Sequence, residues 1–227
     1  MSEARPAPGA QTLARGLRAL ESIAVAPDGL SILELAEMLG VHRSIASRLL
    51  ATLAEFRMVI RGADGRYRVG SGLAALASGI HSTLRVAAEP VLRELAESLG
   101  ATIALLVAEG EEAVALSVVA PAQTTYHLSF RAGGRHPLDR AAGGVALLAG
   151  MPPRPGEPAR VAEARERGYA LTFAEVEPGA YGVGVPIPAV PGMPTACVNL
   201  ITHREEIART SPPALVAAAA RIAASLS

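Results

Sequence analysis

The sequence predicts an α+β fold in two domains, on three observations. Apolar residues recur at helical spacing through the first part of the chain, interrupted by turn signals. From residue 101 the period changes and β-like runs alternate with short helices. The length of 227 residues accommodates one domain of about 80 residues and another of about 140. Half of the residues are hydrophobic, so both parts can build cores.

The start, Ser2-Glu3-Ala4-Arg5-Pro6-Ala7-Pro8-Gly9, has no signal-peptide core, and residues 1–9 are expected to form a disordered arm. Thr12 is a favourable N-cap for a first helix, with Leu13, Leu17, Leu20 and Ile23 as its apolar stripe. Pro27-Asp28-Gly29 marks a turn. Ser31-Ile32-Leu33-Glu34 is a capping box, in which a hydroxyl covers first-turn amides and a Glu reaches back. Ile32, Leu35, Ala36 and Leu39 follow at helical spacing, and Gly40 stands where a left-handed residue ends the helix at least cost. A second helix runs from about His42 to Phe56, with Ile45, Leu49, Leu50 and Leu53 inward and Arg43, Ser44, Ser47 and Arg48 outward. Met58-Val59-Ile60 reads as a strand, Asp64-Gly65 as a hairpin turn, and Arg66-Tyr67-Arg68-Val69 as the returning strand. Helix, tight turn, helix, hairpin is the order of a winged helix-turn-helix, which sets its second helix in the DNA major groove.

Charge placement agrees. The chain is neutral overall, with 21 basic and 21 acidic residues. Residues 41–68 nevertheless hold six Arg, at 43, 48, 57, 61, 66 and 68, against Glu55 and Asp64. Cations gathered on a recognition helix and its hairpin are placed to neutralise phosphates. On this reading Arg43, Ser44 and Ser47 face bases, while Arg48, Arg66 and Arg68 hold phosphates. The alternative is an Arg-rich solvated face on a small helical domain.

Every basic residue is Arg; the chain has no Lys. That removes a phosphate-loop lysine and a Schiff-base lysine. There is no G-x-S-x-G elbow and no H-E-x-x-H. The five His are too scattered for local metal-ligand spacing, and Cys197 is alone, which rules out an intrachain disulfide and a thiolate cage. No catalytic residue, metal site or cofactor is implied. Few aromatics argue against stacking on single strands. No apolar run reaches membrane-spanning length, so a cytoplasmic protein without a membrane partner is expected.

Residues 71–84 read as a linker helix rich in small residues, weakened by two glycines. Pro90 fits the first turn of a further helix with Val91, Leu95 and Leu99 inward and Gly100 at its end. Residues 101–108 and 113–119 form a hairpin around residues 109–112, and residues 124–130 alternate as a third strand. Gly133, Gly134 and Pro137 mark a loop, and residues 140–149 a short helix of small residues. Residues 151–158, with four Pro and one Gly, are a loop. Residues 159–167 are a charged helix ended by Gly168. Strands follow at 169–173, 181–187 and 195–201, and an Ala-rich helix at 212–226 closes the chain. Helices at both ends, with strands between broken by short helices, describe a GAF- or PAS-like sensor domain able to hold a small ligand against one sheet face.

These residues carry a family resemblance. Ser44 and Arg48-Leu49-Leu50-Ala51-Thr52-Leu53, then Gly65-Arg66-Tyr67-Arg68-Val69-Gly70, form one block. Gly134-Arg135-His136-Pro137-Leu138 through Gly144-Val145-Ala146-Leu147-Leu148-Ala149 form a second. Arg165, Arg167-Gly168-Tyr169-Ala170, Glu175, Gly179 and residues 183–187 form a third. In this order, over residues 10–226, the chain resembles the IclR family of bacterial transcription regulators. The resemblance implies a homodimer or homotetramer on palindromic, double-stranded operator DNA. It also implies a GAF-like domain binding a small effector, often an organic acid or an aromatic metabolite, and a repressor in function. By matching positions the effector pocket would be lined by Leu128, Ala142, Gly143, Thr172, Ala180, Gly182 and Asn199. Ala142, Gly143 and Gly182 would leave room, Thr172 and Asn199 would offer hydrogen-bonding groups, and amides near Gly143 and Gly144 could bind a carboxylate. The Pro-rich 151–158 stretch stands where family members carry a longer segment with an extra helix, so a less enclosed pocket is expected.

The domain plan is thus an arm (1–9), a winged helix-turn-helix (10–70), a linker helix (71–89) and a GAF-like effector domain (90–227). Two rivals differ in class: a regulator whose sensor has degenerated into a dimerisation or partner-binding module, and an enzyme built on the second domain.

Overall fold

A computed structural model of the chain describes residues 10–122 and 130–227. The expected arm, most of the strand expected at 124–130, and Leu128 lie outside the described residues. The chain divides into two units, one ending at Ile80 and the other beginning at His81.

The first unit comprises α1 (Gln11–Ala24), α2 (Ile32–Leu39), α3 (Arg43–Glu55), a two-stranded sheet of β1 (Val59–Arg61) and β2 (Tyr67–Val69), and α4 (Gly72–Ala77). The capping box forms as read. The Glu34 amide donates to Ser31 Oγ, and the Ser31 amide donates to Glu34 Oε2 at 2.7 Å. Gly40 closes α2 in the left-handed region at φ 62°, which a side chain would resist. The wing is joined to the helices through Leu30 and Tyr67, whose backbones exchange hydrogen bonds of 2.9 and 2.7 Å. Gly29 makes that approach possible, since a Cβ there would stand 2.5 Å from the Tyr67 carbonyl oxygen. Ala19, Ile23, Leu30, Leu35, Leu50, Val59 and Tyr67 form the core.

Two expectations at α1 are corrected. Thr12 lies within the helix, and the N-cap is Ala10, which makes no side-chain cap bond. Of the expected stripe, Ile23 is buried and Leu20 half-buried, but Leu13 and Leu17 are 62% and 52% exposed. The first two turns of α1 bury no residue fully, and Ala19 and Ile23 further along carry its contact with the core.

The second unit is a six-stranded antiparallel sheet in the order β5-β4-β3-β8-β7-β6. Its strands are β3 (Thr102–Glu109), β4 (Glu112–Val119), β5 (Arg135–Pro137), β6 (Ala170–Phe173), β7 (Tyr181–Pro186) and β8 (Ala196–Thr202). Its helices are α5 (Ser82–Leu99), α6 (Ala141–Gly150), α7 (Ala159–Arg167), α8 (Glu205–Thr210) and α9 (Pro212–Ala224). Successive strand residues face opposite sides. Ile103, Leu105, Val107, Val198 and Leu200 pack with α5 and α9. Ala104, Leu106 and Cys197 pack with α6 residues Ala146 and Leu147.

The helices between 71 and 99 fall differently from expectation. Only residues 72–77 of the expected linker helix form α4, and α5 starts at Ser82 and carries Pro90 in its interior. A proline there forfeits one backbone bond. However, Leu84, Ala88, Val91, Leu92, Leu95 and Ala96 bury one continuous face on both sides of it, and that burial outweighs the break. The Gly133–Pro137 stretch, read as loop, contains β5, which pairs with the start of β4. The short α8 was not expected at all.

Candidate functional site

In the first unit, α3 presents Arg43, Ser44, Ser47 and Arg48 outward, all exposed, while Ala46, Leu49 and Leu50 are buried beneath. His42 is the N-cap. Its Nδ1 accepts from the Ser44 amide at 3.3 Å and lies 2.9 Å from Ser44 Oγ. The start of the helix is thereby ordered with Arg43 beside it.

The two wing arginines are placed differently from those on α3. Arg66 donates from Nε and Nη2 to the Gly29 carbonyl, at 3.2 and 3.0 Å, and from Nη2 to Glu34 Oε1 at 2.9 Å. It therefore ties the wing to the cap of α2. Arg68 donates to both oxygens of Asp64, at 3.2 and 2.7 Å. Both carboxylates titrate near 2: Glu34 is held there by the Ser31 amide and then Arg66, and Asp64 by Arg68 and then the Arg66 amide. The polar face of α3 thus carries the open cations, and the wing carries braced ones. Arg61, exposed on β1, lies over the Tyr67 ring at 5.8 Å. It belongs to the basic cluster of residues 41–68 without being among the residues expected to touch DNA.

In the second unit, five of the seven expected pocket residues meet at one cavity. Ala142, Thr172, Ala180, Gly182 and Asn199 line a space of about 400 Å³ that is partly open to solvent. Phe130, His136, Glu175, Tyr181 and Ile201 also contribute to its walls. Leu128 lies outside the described residues.

Gly143 is corrected. It does not line the cavity; a Cβ there would stand 2.2 Å from Leu106 Cδ1. Its missing side chain lets α6 lie against β3, as Gly184 lets β7 approach the Ala142 carbonyl, where a Cβ would be 2.2 Å away. Gly144 likewise abuts the Leu138 carbonyl. Close packing, not ligand space, accounts for these glycines.

Two amides at the start of α6 are taken, those of Ala141 and Ala142, directly ahead of the Gly143 and Gly144 amides expected to bind a carboxylate. The Ala141 amide donates to Glu175 Oε2 at 2.7 Å, and the Ala142 amide donates to Thr172 Oγ1 at 3.0 Å. Arg160 pairs with Glu175 at 3.1 Å, and Arg140 donates to the Glu175 carbonyl. The chain thus puts its own carboxylate where a helix start favours negative charge. Glu175 was visible in the sequence as part of a motif, but nothing local showed that a residue two past the end of β6 would reach back to α6. Asn199 is buried on β8 with Oδ1 lacking any hydrogen-bond partner. Cys197 is fully buried, with Sγ facing the Gly143 carbonyl, and burial raises its thiol pKa far above the usual range. This is the environment of a core thiol, not a reactive one.

The comparisons with known proteins fall on both units. The IclR helix-turn-helix domain model matches residues 12–61, and the bacterial transcriptional regulator IclR C-terminal model matches residues 78–157. The chain belongs to the IclR family of bacterial transcriptional regulators. It is 35% identical over 146 residues to the HTH-type transcriptional regulator Rv1719 of Mycobacterium tuberculosis, covering 64% of this chain and 56% of that protein. It is 31% identical over 150 residues to the transcriptional repressor IclR of Escherichia coli, covering 63% and 54%. The chain thus spans little more than half the length of these curated relatives. The solved Thermotoga maritima IclR aligns with a TM-score of 0.75 at 26% identity, over 96% of this chain and 99% of that one. An IclR homolog from Microbacterium hydrocarbonoxydans complexed with 4-hydroxybenzoate shares the fold, with a TM-score of 0.77 at 24% identity over 95% and 99%.

Proposed function

We propose that the protein is a ligand-responsive, DNA-binding transcription regulator, a repressor that acts in the cytoplasm as a homodimer or homotetramer. The observation that carries this is the exposed polar face of α3, fixed by two capped helices and offering Arg43 and Arg48 outward. Arg43, Ser44 and Ser47 read base edges. Arg48, with Arg66 and Arg68 on the braced wing, holds phosphates. The repressor sign follows the E. coli repressor and the Salmonella typhimurium acetate operon repressor, the latter 31% identical over 143 residues. In the second unit, the cavity between α6 and the sheet receives the effector, with Ala142, Thr172, Ala180, Gly182 and Asn199 as its walls. No helix among the described residues is long and apolar enough to cross a membrane.

The test is selection of bound sites from random DNA, followed by titration of variants on the selected site. Arg43→Ala should lose about 1–3 kcal/mol of discrimination between the selected site and a mismatched one. Arg48→Ala should weaken all sequences alike and lower the salt slope by about one unit. If Arg43→Ala retains both affinity and preference, the base-reading assignment fails.

A further inference from the structure

We infer that the cavity beside α6 takes a small uncharged hydroxyl compound, such as a phenol or an alcohol, and rejects carboxylates. The inference rests on the reading of this unit as a sensor. Three observations carry it.

An anion would be drawn to the start of α6, but the first amide there is already bound to Glu175 and the second to Thr172. A ligand carboxylate would have to displace a carboxylate that Arg160 also holds. Next, Glu175 and Glu177 both line the cavity, and among the described residues no arginine does. With no Lys anywhere in the chain and Arg160 already paired with Glu175, His136 is the one basic side chain among the described lining residues, and a half-desolvated anion gains little against the two carboxylates.

The third observation points to what the cavity does want. Asn199 is 6% exposed, lines the cavity, and leaves its Oδ1 without a partner. A buried acceptor without a donor is costly, and a ligand that supplies the donor removes that cost. A hydroxyl suits the carboxamide best, because it can donate or accept whichever way the amide is turned. Beside the polar His136 and Thr172, the wall offers Phe130, Val176, Tyr181 and Ile201 to a ring or short chain.

Phenol and benzoate make the decisive probes: the rings match, one is neutral at pH 7 and the other ionised. Both are titrated calorimetrically into the full-length protein, into Asn199→Leu and into Glu175→Gln, with binding to the selected DNA site measured separately. The expected result is phenol binding at least tenfold tighter than benzoate in the unmodified protein. Asn199→Leu should lose at least tenfold of the phenol affinity, and Glu175→Gln should narrow the gap by gaining benzoate. Benzoate binding as tightly as phenol would overturn the inference while leaving the sensor reading intact. Unchanged phenol affinity in Asn199→Leu would equally overturn it. Binding of neither probe would overturn this inference and count against the sensor, while DNA binding would still stand on its own measurement. Should Asn199→Leu fail to fold, the phenol-to-benzoate ratio of the unmodified protein decides alone.

Discussion

Glu34 joins the two halves of the winged unit. One of its carboxylate oxygens accepts from the Ser31 amide and the other from Arg66, so the α2 cap and the wing depend on the same charge. Its pKa falls from 4.5 to about 2 for that reason. A carboxylate with a depressed folded-state pKa stabilises the fold fully above its unfolded value and loses that contribution as pH falls toward the folded one. The first unit should therefore lose stability between about pH 4.5 and 2, and Glu34→Gln should flatten that part of the profile and lower the melting temperature at pH 7. Thermal melts from pH 7 down to pH 2, read on variant and parent, check this. An equal acid slope in both would show that other groups set it. At Gly143 the decisive quantity is the 2.2 Å separation between a built Cβ and Leu106 Cδ1. Gly143→Leu should cost about 1–3 kcal/mol or more by overpacking. Gly182→Ala, whose Cβ would stand 3.2 Å from Thr172 Oγ1 and 3.3 Å from Ala142 Cβ, should keep the fold and shrink the cavity. Denaturant titration of the two variants separates these roles. Equal stability would mean that Gly143 is not a packing position.

At the scale of elements, what the sequence made legible was what short-range chemistry controls. Ser31, Glu34 and Gly40 specify where α2 begins and ends without help from the rest of the fold, and both limits stand as read. The β3–β4 hairpin declared itself through two apolar runs and an acidic turn around Gly110, and its register closes on Glu109 opposite Glu112. Elements that depend on partners far along the chain were hidden. β5 has only three residues and exists because Ala113 pairs with His136. Pro90 looked like a helix start because the burial that carries α5 through it is tertiary, from a sheet and helix more than ten residues away. The cavity divides in the same way. Matching positions found Ala142, Thr172, Ala180, Gly182 and Asn199, all of which meet there. They did not find that Glu175 would occupy the α6 start, because that contact links residues 34 apart in sequence. Nor did they show that Gly143 faces Leu106, because the direction of a helical position depends on how the helix rolls on the sheet.

For the whole molecule, the question is how so small a winged unit finds a site among genomic competitors. A single recognition helix and wing contact few base pairs, and specific regulators overcome this by doubling the contacts through two-fold symmetry. The first unit carries surface that fits such pairing. Leu13 and Leu17 on α1 and Leu76 on α4 are each more than half exposed, and Ile80 nearly so. Large apolar side chains concentrated on two helices of a small unit, while its own core is already filled by Ile23, Leu35 and Leu50, mark a surface that association would bury. The two units also differ in charge: residues 1–80 hold nine Arg against seven acids, and residues 81–227 hold twelve against fourteen. Repeating the basic unit on one face of an assembly would concentrate positive charge toward DNA while the whole stays neutral. Light scattering at micromolar concentration should therefore give at least twice the 23.3 kDa chain mass. The double substitution Leu13→Glu with Leu17→Glu should shift the mass toward the monomer and lower affinity for the selected DNA site at least tenfold, with the melting transition of the second unit unchanged. A monomeric parent would remove the two-fold argument. A variant that stays oligomeric and binds DNA as the parent does would move the interface away from α1.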